Sequence, residues 1–506
     1  MLETFFWLII LQLISFLAIP FSSRVFDRLP DKGYSFSKIL GLLIVGFFTW
    51  LLGLTQLIQI SRLSVIIALI VLACISFIGC SGQIKNIRGN IKVNANFVIT
   101  VEVLFITVFL GMALLRASIP EGISHTEQPM DLMFLSSVVG SQYFPPIDAW
   151  LAGERVSYYY LGYIFVGLMA LLTGLESWVS YNLGIALYAA MTAITAFGIT
   201  YNLVGLCRGS RESGILAGLS TVFLLLIASN FVGILELYRA AGGGDTKFWS
   251  TVAVTGLSQS EASTTWMPND SAWWWWRASR VIPGAITEFP AFSFLLGDMH
   301  PHVMSLPFLL FTVALSIQLY LQQGLYQVNS LKLLWPLWLI SIVSLGALVV
   351  INLWDFPVGF ALVSSSILLN TARNERRIQL GKSLVLEDDL LLVGSTNGPQ
   401  NDSPLPSVRV YRYEKNKWSL QQKLTADDLY FRSGFGDTIA THGNLLAIGC
   451  PDASNTGLVR LYINSQDKWL HKTTLRPPND KGIKKFGSSV SISQNQIIVA
   501  AATEIY

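Results

Sequence analysis

Charge is scarce in this chain, since only 13% of its 506 residues are Asp, Glu, Lys or Arg. Cysteine is scarce too: Cys74, Cys80, Cys207 and Cys450 lack the spacing of a disulfide framework or a zinc site. A net charge of +3, spread over many loops, does not indicate nucleic acid as a partner. Apolar residues make up 52% of the chain, and the mean hydropathy of +0.52 excludes a single soluble domain.

The charged residues are distributed unevenly along the chain. The first 370 residues contain 35 of them, and the last 136 residues contain 30. This contrast predicts a polytopic membrane domain over residues 1–372, a junction at 373–379 and a water-exposed domain over 380–506. The predicted fold class is therefore a multi-span α-helical membrane bundle followed by an all-β repeat region.

Apolar stretches predict about ten membrane spans, because a bilayer core of roughly 30 Å needs about 20 apolar residues per helix. The stretches cover approximately residues 4–21, 38–58, 63–80, 97–115, 158–174, 181–205, 213–236, 303–321, 333–351 and 356–370. The first is predicted to be a retained helix rather than a signal peptide, because no basic segment precedes it and Pro20-Phe21 is a poor cleavage context.

The distribution of Lys and Arg in short loops predicts the orientation of the bundle. Basic loops around residues 24–38, 85–92, 208–211 and 373–377 are placed in the cytoplasm. The loops at 116–157 and 239–290 then lie outside, at the outer surface of the plasma membrane. This assignment requires an odd number of crossings between residues 158 and 206, so one of the two apolar stretches there is predicted to be re-entrant or split.

The first outer loop supplies carboxylates that could serve as a general base or hold a metal. Glu127 and Asp131 are spaced i and i+4 and share a face if the segment is helical, and Asp148 follows in the same loop. The alternative is that these acidic side chains are only solvated. Tyr158, Tyr159 and Tyr160 border the next span, where they either contact substrate or form an aromatic belt.

The second outer loop combines aromatic, basic and acidic residues. Trp273–Trp276 precede Arg277 and Arg280, which either grip a lipid phosphate or anchor the interface. Ionisable groups that border a membrane span are costly, and Asp298, His300 and His302 lie at alternate positions beside the next span. They predict a divalent metal or pyrophosphate site, with a hydrogen-bonded loop that shapes a pocket as the alternative.

Several motifs in these loops resemble the YYY family of membrane proteins. They are Glu-Gln-Pro-Met-Asp from residue 127, Phe-Pro-Pro-Ile-Asp-Ala-Trp from 144, Tyr-Tyr-Tyr-Leu-Gly from 158, and Glu-Phe-Pro-Ala-Phe-Ser-Phe-Leu-Leu-Gly-Asp-Met-His-Pro-His from 288. The resemblance covers roughly residues 1–370, and the layout is similar to GT-C membrane glycosyltransferases. It implies a polyprenyl-phosphate sugar as donor and an essential carboxylate in an outer loop.

By this resemblance each candidate residue receives a role. Asp131 is the first choice for the base that activates the acceptor, because it heads the loop helix, and Glu127 and Asp148 are the second choices. The implied donor-phosphate ligands are Arg277, Arg280, His300 and His302, and the wider substrate-binding set adds Tyr158, Tyr159, Tyr160, Glu288 and Asp355. Asp298 is implied to be a metal or acceptor ligand, with Mg²⁺ or Mn²⁺ as the candidate ions.

The last 127 residues contain a repeat with a period of about 50 residues. Leu380-Gly381-Lys382-Ser383, Phe435-Gly436-Asp437-Thr438 and Phe486-Gly487-Ser488-Ser489 recur at spacings of 55 and 51. Each precedes a predicted strand, and these strands are Leu390 to Gly394, Leu445 to Gly449 and Gln496 to Ala500. This pattern is typical of β-propeller blades, and the motifs resemble FG-GAP repeats of the integrin-alpha type. Calcium is not expected, because Asp452 has no acidic partners nearby.

Two full repeats and part of a third predict a propeller fragment that needs further blades or a partner chain. The basic residues after 372 place these repeats in the cytoplasm, whereas FG-GAP propellers usually face outward, which favours a junction that is not a natural fusion. A transporter, a lipid or adhesion scaffold, and an inactive truncated fusion therefore remain alternatives to the glycosyltransferase. Glu102, inside a predicted span, is expected to pack against a partner helix.

Overall fold

The structure is a computed structural model. It describes residues 2–78, 95–118, 122–207, 209–252, 254, 278–282, 284–322, 325, 334–375, 379–396, 406–414, 417–426, 428–429, 433–454, 456–478, 483–494 and 496–503. The predictions that involve residues 85–92, Arg208, Trp273–Trp276, Arg277, Arg376 and Arg377 lie outside this description.

The chain forms two compact units, Met1–Ile367 and Leu368–Tyr506. The helices that lie in unit 1, or begin in it, are α1 (Leu2–Val25), α2 (Ser37–Leu54), α3 (Arg62–Phe77), α4 (Ala95–Ala117), α5 (Gln128–Gly140), α6 (Leu161–Thr173), α7 (Ser177–Leu206), α8 (Arg211–Phe223), α9 (Val232–Ala240), α10 (Thr246–Val252), α11 (Pro290–Leu296), α12 (Pro301–Leu321), α13 (Trp335–Ile351) and α14 (Asp355–Glu375). A 3₁₀ turn (Tyr34–Phe36) precedes α2, and a π-helical turn (Leu224–Ala228) continues α8.

Six stretches of the described chain are long and apolar enough to cross a membrane: Leu2–Val25, Tyr34–Leu54, Ala95–Ala117, Ser177–Leu206, Arg211–Ala228 and Pro301–Leu321. Three shorter apolar helices, α3, α6 and α13, accompany them. The helical membrane part followed by a β region is therefore confirmed, but the count of ten spans is not. α6 has only 13 residues, or about 20 Å at 1.5 Å per residue, which is shorter than the bilayer core.

The longest helix, α7, forms the centre of unit 1, where it packs against α4, α8 and α12. Near its start the Tyr181 hydroxyl donates to the carbonyl of Gly297 at 3.0 Å. Near its end the Asn202 side chain accepts from the backbone N–H of Asp31, in the loop between α1 and α2, at 3.0 Å. These two residues are 21 positions apart, which is about 32 Å along a helix.

Within the residues that the structure describes, unit 2 contains ten strands and the end of α14. The strands are β1 (Gln379–Glu387), β2 (Leu390–Thr396), β3 (Ser407–Glu414), β4 (Lys417–Thr425), β5 (Thr438–His442), β6 (Leu445–Cys450), β7 (Leu458–Ser465), β8 (Lys468–Leu475), β9 (Ile483–Ser493) and β10 (Gln496–Thr503). They form two four-stranded antiparallel sheets, β1-β2-β3-β4 and β5-β6-β7-β8, and the β9-β10 pair. Sheets of four consecutive strands agree with blade-like repeats, although closure into a propeller is not established.

The repeats are joined by the same contact twice. The hydroxyl of Ser383 in β1 donates to the carbonyl of Gly436 at 2.6 Å, and the hydroxyl of Thr438 in β5 donates to the carbonyl of Gly487 at 2.9 Å. In each case a glycine of the second strand, Gly394 or Gly449, lies so close to that carbonyl that a Cβ atom would overlap it. The repeated motif therefore forms the contact between successive sheets.

Candidate functional site

The candidate site of unit 1 is formed where four parts of the chain meet. The segment before α5, the start of α6, the first turns of α7 and the segment between α11 and α12 all contribute polar side chains. The loop helix expected at Asp131 is present as α5, and Pro129 lies in its first turn, where proline needs no hydrogen-bond partner for its nitrogen.

Asp131 is the most buried acidic residue of this cluster, with no solvent exposure. Its Oδ1 atom accepts a hydrogen bond from the Tyr163 hydroxyl at 2.6 Å. Its Oδ2 atom is also buried, and it has no hydrogen-bond partner among the described residues. A buried oxygen without a donor is costly, and it is the atom that could accept a proton or a hydrogen bond from a substrate.

The surroundings of Asp131 keep its carboxyl group partly protonated near neutral pH. Burial, together with the carboxylates of Asp298 and Glu127, raises its pKa from 3.8 to about 7, against the Tyr163 hydroxyl and the backbone N–H of Met299, which lower it. A general base works best when its pKa lies near the working pH. Asp131 therefore has the protonation behaviour expected of a base.

Asp298 is the second buried carboxyl group, and it faces the segment before α5. Both of its oxygens lie 2.7 Å from the Thr126 hydroxyl. Burial raises its pKa to about 6, with Glu288 and Glu127 acting in the same direction, while the hydroxyl of Thr126 and the charge of Arg116 oppose this shift.

Arg116, at the end of α4, provides a buried positive charge beside Asp298. Its Nε donates to the Asn182 side chain at 3.0 Å, and one terminal nitrogen donates to the Leu296 carbonyl at 3.4 Å. The guanidinium lies against Gly297, whose φ of 79° ends α11 in the left-handed region. A residue with a side chain at this position would displace Arg116.

The backbone of residues 297–299 is held in place by α7. The Tyr181 hydroxyl accepts a hydrogen bond from the backbone N–H of Met299 at 3.1 Å while donating to Gly297. A second tyrosine of α7, Tyr188, donates to the Gly162 carbonyl at 2.6 Å at the start of α6. Two tyrosines of one helix thus fix the segments that carry Asp298 and Tyr163.

His300 and His302 link two glutamates across the site. His300 Nε2 lies 2.8 Å from an oxygen of Glu127, and His302 Nε2 lies 2.8 Å from an oxygen of Glu288. The Nδ1 atoms of the two histidines are 2.7 Å apart. Glu288 also accepts a hydrogen bond from the Ser293 hydroxyl at 2.8 Å, so this row of side chains ends on α11.

The three neighbouring tyrosines have different surroundings. Tyr158 stacks on Phe134 of α5 with ring centroids 5.0 Å apart, and the nearby carboxylates of Glu127 and Asp131 add to burial in raising its pKa to about 12. Tyr159 contacts the Tyr158 ring at 5.1 Å. Tyr160 is buried and accepts a hydrogen bond from the Trp50 indole at 3.0 Å, so only Tyr158 directly adjoins the carboxylates.

Asp355 joins α14 to the first turns of α12. Its carboxylate accepts from the hydroxyl of Ser305, and the Asn352 side chain donates to the same oxygen at 3.1 Å. Ser305 also donates to the carbonyl of His302 at 3.1 Å. Asp355 therefore lies behind the histidine segment and supports its backbone.

The remaining predicted residues are not brought into this cluster. Asp148 accepts from the backbone N–H groups of Trp150 and Leu151 at 2.8 and 3.0 Å, which makes it the cap of its own loop. Arg280 donates to the hydroxyl and carbonyl of Ser279. Arg277 lies outside the described residues.

Metal binding is not favoured by the arrangement of the described donors. Among the described residues, no group of three His, Cys, Asp or Glu side chains is positioned to hold an ion. Both ring nitrogens of His300 face other side chains, and both oxygens of Asp298 face Thr126. The residues do not fit a bound metal in this arrangement, so the metal role of Asp298 stays a prediction without support.

Sequence reasoning missed four residues that build the site: Arg116, Thr126, Tyr163 and Tyr181. Arg116 carried a detectable signal, because it ends a long apolar run just before the acidic loop. The other three look like ordinary loop and helix residues in the sequence.

The site and the basic α1–α2 loop lie at opposite ends of the same helices. In α7, Tyr181 lies at the end near the site and Asn202 lies at the end near the basic loop. In α12, Gln318 donates to Asp27 of the basic loop at 2.7 Å, whereas the first turn of α12 carries His302. The separation along α7, about 32 Å, is close to the thickness of a bilayer core.

Comparison with known proteins identifies the family. Residues 44–405 match the model of the family described as uncharacterized membrane protein (DUF2298), which is more than two thirds of the chain. The chain therefore belongs to this family, and its assignment as a membrane protein is confirmed. No curated protein and no solved structure matches the chain.

Proposed function

We propose that this membrane protein of the DUF2298 family is a glycosyltransferase of GT-C type. It moves a sugar from a polyprenyl-phosphate donor to an acceptor, and Asp131 is the base. The observation that carries the proposal is the Asp131 carboxyl group, buried and held by one oxygen, with a pKa of about 7 and a second oxygen without a partner.

Each proposed step has a residue to perform it. Oδ2 of Asp131 takes the proton of the acceptor hydroxyl while the acceptor oxygen attacks the anomeric carbon. The bond between that carbon and the donor phosphate oxygen breaks, and the oxygen leaves with the electron pair as polyprenyl phosphate. Tyr163 keeps the carboxylate in place through Oδ1. The step involves no change of oxidation state, so it needs no oxidant or reductant.

The negative donor phosphate requires positive charge, and Arg116 is a buried cation beside Asp298. It opposes the negative charge of Asp298 from within the site. Arg280 and Arg277 remain part of the proposal as ligands of the donor phosphate. His300 and His302 are already paired with glutamates, so they position neighbouring segments and do not bind the phosphate.

The distribution of basic residues supports an outward site at the plasma membrane. Arg24, Arg28 and Lys32 lie at the end of α7 that is remote from Asp131. Lys and Arg in short loops favour the cytoplasmic side. The proposed site then lies at the level of the outer headgroups, where a polyprenyl carrier can present its phosphate while its chain stays in the bilayer.

The transporter alternative is not favoured by the charges within the spans. Glu102 of α4 is paired with Lys38 of α2 at 2.6 Å, and it also accepts from Tyr34 and Gln12. A transport relay needs ionisable groups along a pathway, whereas this pair is fully engaged in joining α1, α2 and α4. The alternative that experiments must distinguish from an enzyme is a non-catalytic scaffold.

Unit 2 is proposed to be a set of FG-GAP-like blades that binds a partner or further blades. The two four-stranded sheets and the repeated hydroxyl-to-carbonyl contact between them support this assignment. Its contribution is separate from the chemistry proposed for unit 1.

Asp131→Asn tests the catalytic proposal directly. Asparagine keeps the shape and can still accept from Tyr163, but it cannot take a proton. We expect transfer of sugar from polyprenyl phosphate in proteoliposomes to fall by about 10²- to 10⁴-fold, the usual contribution of a general base. Asp148→Asn is the matched control, since Asp148 caps its own loop, and it should retain transfer. Unchanged transfer in Asp131→Asn would refute the proposal, and no transfer by the wild type with any polyprenyl-linked sugar would favour the scaffold.

A further inference from the structure

The row Glu127–His300–His302–Glu288 joins three separate segments of the chain. Glu127 is the residue before α5, His300 is the residue before α12, and Glu288 lies just before α11. Its three contacts measure 2.8, 2.7 and 2.8 Å. All four side chains are partly exposed, so the row lies at the mouth of the site while Asp131 lies below it.

The distance between the two histidines is the length of a hydrogen bond and too short for a shared metal ion. Two imidazole nitrogens on one ion, each about 2.0–2.1 Å from it, lie roughly 3 Å or more apart. The Nδ1 atoms of His300 and His302 are 2.7 Å apart, within the range of N–H hydrogen bonds. One proton therefore lies between them.

Counting donors gives the charge of the pair. Each Nε2 atom faces a glutamate oxygen and must donate a proton to it, and the contact between the rings needs a third proton. Two neutral imidazoles carry only two N–H groups in total. Three hydrogen bonds therefore require one extra proton on the pair, which the two flanking glutamates stabilise.

The charged groups around this pair come from every neighbouring segment. Glu127 precedes α5, Glu288 precedes α11, and Asp298 precedes α12 with its charge coupled to both glutamates. Arg116 of α4 is the cation on the side of Asp298. Burial and the neighbouring ring of His302 lower the pKa of His300, against the carboxylates of Glu127 and Glu288, which raise it. The shared proton is therefore inferred from the three contacts of the row and not from the charge around it.

We propose that these four residues form a metal-free clasp, in which one shared proton between His300 and His302 ties Glu127 to Glu288 and so positions the start of α5. Its influence on sugar transfer rests on the proposed role of Asp131, which lies one helical turn after Glu127. His300 and His302 are positioning residues in this scheme. The clasp replaces the divalent ion that the sequence had suggested for this segment.

Metal content tests the clasp independently of any enzymatic activity. The full-length protein, purified in detergent and treated with EDTA, should contain less than about 0.1 metal ion per chain by elemental analysis. Adding Mn²⁺, Mg²⁺ or Zn²⁺ should leave its midpoint of thermal unfolding unchanged. A stoichiometric ion, or a midpoint that rises with one of these metals and is lost in His302→Ala, would overturn the proposal.

Nitrogen NMR of histidine-labelled protein tests the shared proton. The chain has only five histidines, so His300 and His302 can be assigned from single His→Gln variants. We expect one neutral and one doubly protonated ring that are coupled through a hydrogen bond. Two independent neutral rings would refute the shared proton.

Transfer assays then separate the clasp from the proposed function. His302→Ala should reduce transfer about tenfold, and imidazole added to the buffer should restore part of it, whereas His471→Ala in unit 2 should change nothing. If the wild type transfers sugar but His302→Ala is unaffected, the positioning role is wrong and the function stands. If transfer is absent but the shared proton is present, the function fails and the clasp remains as a structural element.

Discussion

The Tyr163 hydroxyl donates to Oδ1 of Asp131 at 2.6 Å and leaves Oδ2 of the same buried carboxyl group without a partner. This one-sided support orients the carboxylate and keeps one oxygen available. Because Tyr163 follows Asp131 by 32 positions, the relationship depends on how α5 packs against α6.

Tyr163→Phe is expected to shift the pH dependence of transfer toward higher pH. The hydroxyl lowers the pKa of Asp131 by stabilising its charged form, so its removal raises that pKa above about 7. The ascending limb of the pH–rate profile should therefore move to higher pH. Tyr160→Phe, which loses only the hydrogen bond with Trp50, is the control. The ascending limb of its pH–rate profile should coincide with that of the wild type. Coincident profiles for Tyr163→Phe and the wild type would contradict the assigned contact.

Stability should depend on pH through Asp131 and Asp298. Their pKa values in the folded protein, about 7 and about 6, lie above the value of 3.8 expected when they are unfolded. The folded state then binds more protons between about pH 4 and pH 7, so the free energy of unfolding falls as pH rises through this window. We expect Asp131→Asn to unfold at a higher temperature than the wild type at pH 8, and the difference to shrink at pH 4.5. A difference independent of pH would argue against ionisation as its cause.

Gly297→Ala should be more damaging than Gly284→Ala. Both glycines have positive φ, 79° and 75°, so both substitutions carry a similar backbone cost of roughly 1 kcal/mol. At Gly297 the added Cβ collides with the guanidinium of Arg116, whereas at Gly284 it meets no atom of the described residues within 4 Å. Thermal unfolding in detergent and sugar transfer should both be lower for Gly297→Ala. Equal effects of the two substitutions would show that Arg116 is not held against this glycine.

The Lys38–Glu102 pair should show strong coupling in a double-mutant cycle. Lys38 is 1% exposed, and its ammonium group lies 2.6 Å from Glu102. Lys38→Met leaves the Glu102 carboxylate without its cation, with only the hydrogen bonds from Tyr34 and Gln12 remaining. Loss of one partner costs about 3–5 kcal/mol in buried ion pairs. Lys38→Met combined with Glu102→Leu should recover most of that loss, as measured by unfolding in detergent. Additive effects of the two substitutions would show that the pair contributes little.

Apolar runs predicted most helices of unit 1 because a hydrophobic stretch must be buried in lipid or protein wherever it lies. They did not predict how many helices cross the membrane. The 13 residues of α6 are apolar but short, and α14 combines an apolar centre with polar ends. The strands β2, β6 and β10 begin at the residues where the repeat placed them, Leu390, Leu445 and Gln496.

The candidate site could be predicted only as a set of residue types. Asp131 at the head of a loop helix, and a polar segment from Asp298 to His302, were both evident from local sequence. The partners of these residues were not, since Tyr163 and Thr126 come from distant positions and a single sequence contains no information about such pairs. His300 and His302 were assigned to phosphate because the glutamates opposite them could not be identified.

The contact between the sheets of unit 2 has a consequence for how such a sequence can diverge. A side chain at Gly394 or Gly449 would overlap a backbone carbonyl of the following repeat. The same carbonyl accepts a hydrogen bond from a hydroxyl of the glycine's own sheet, which is that of Ser383 in the first case and Thr438 in the second. Two small residues and one backbone oxygen thus recur at both joints, while buried apolar side chains and, between the first two sheets, the hydrogen bonds of Gln422 with the backbone of Trp469 complete the contact. Exposed positions of each module can therefore diverge, whereas a side chain at Gly394 or Gly449 would push neighbouring modules apart.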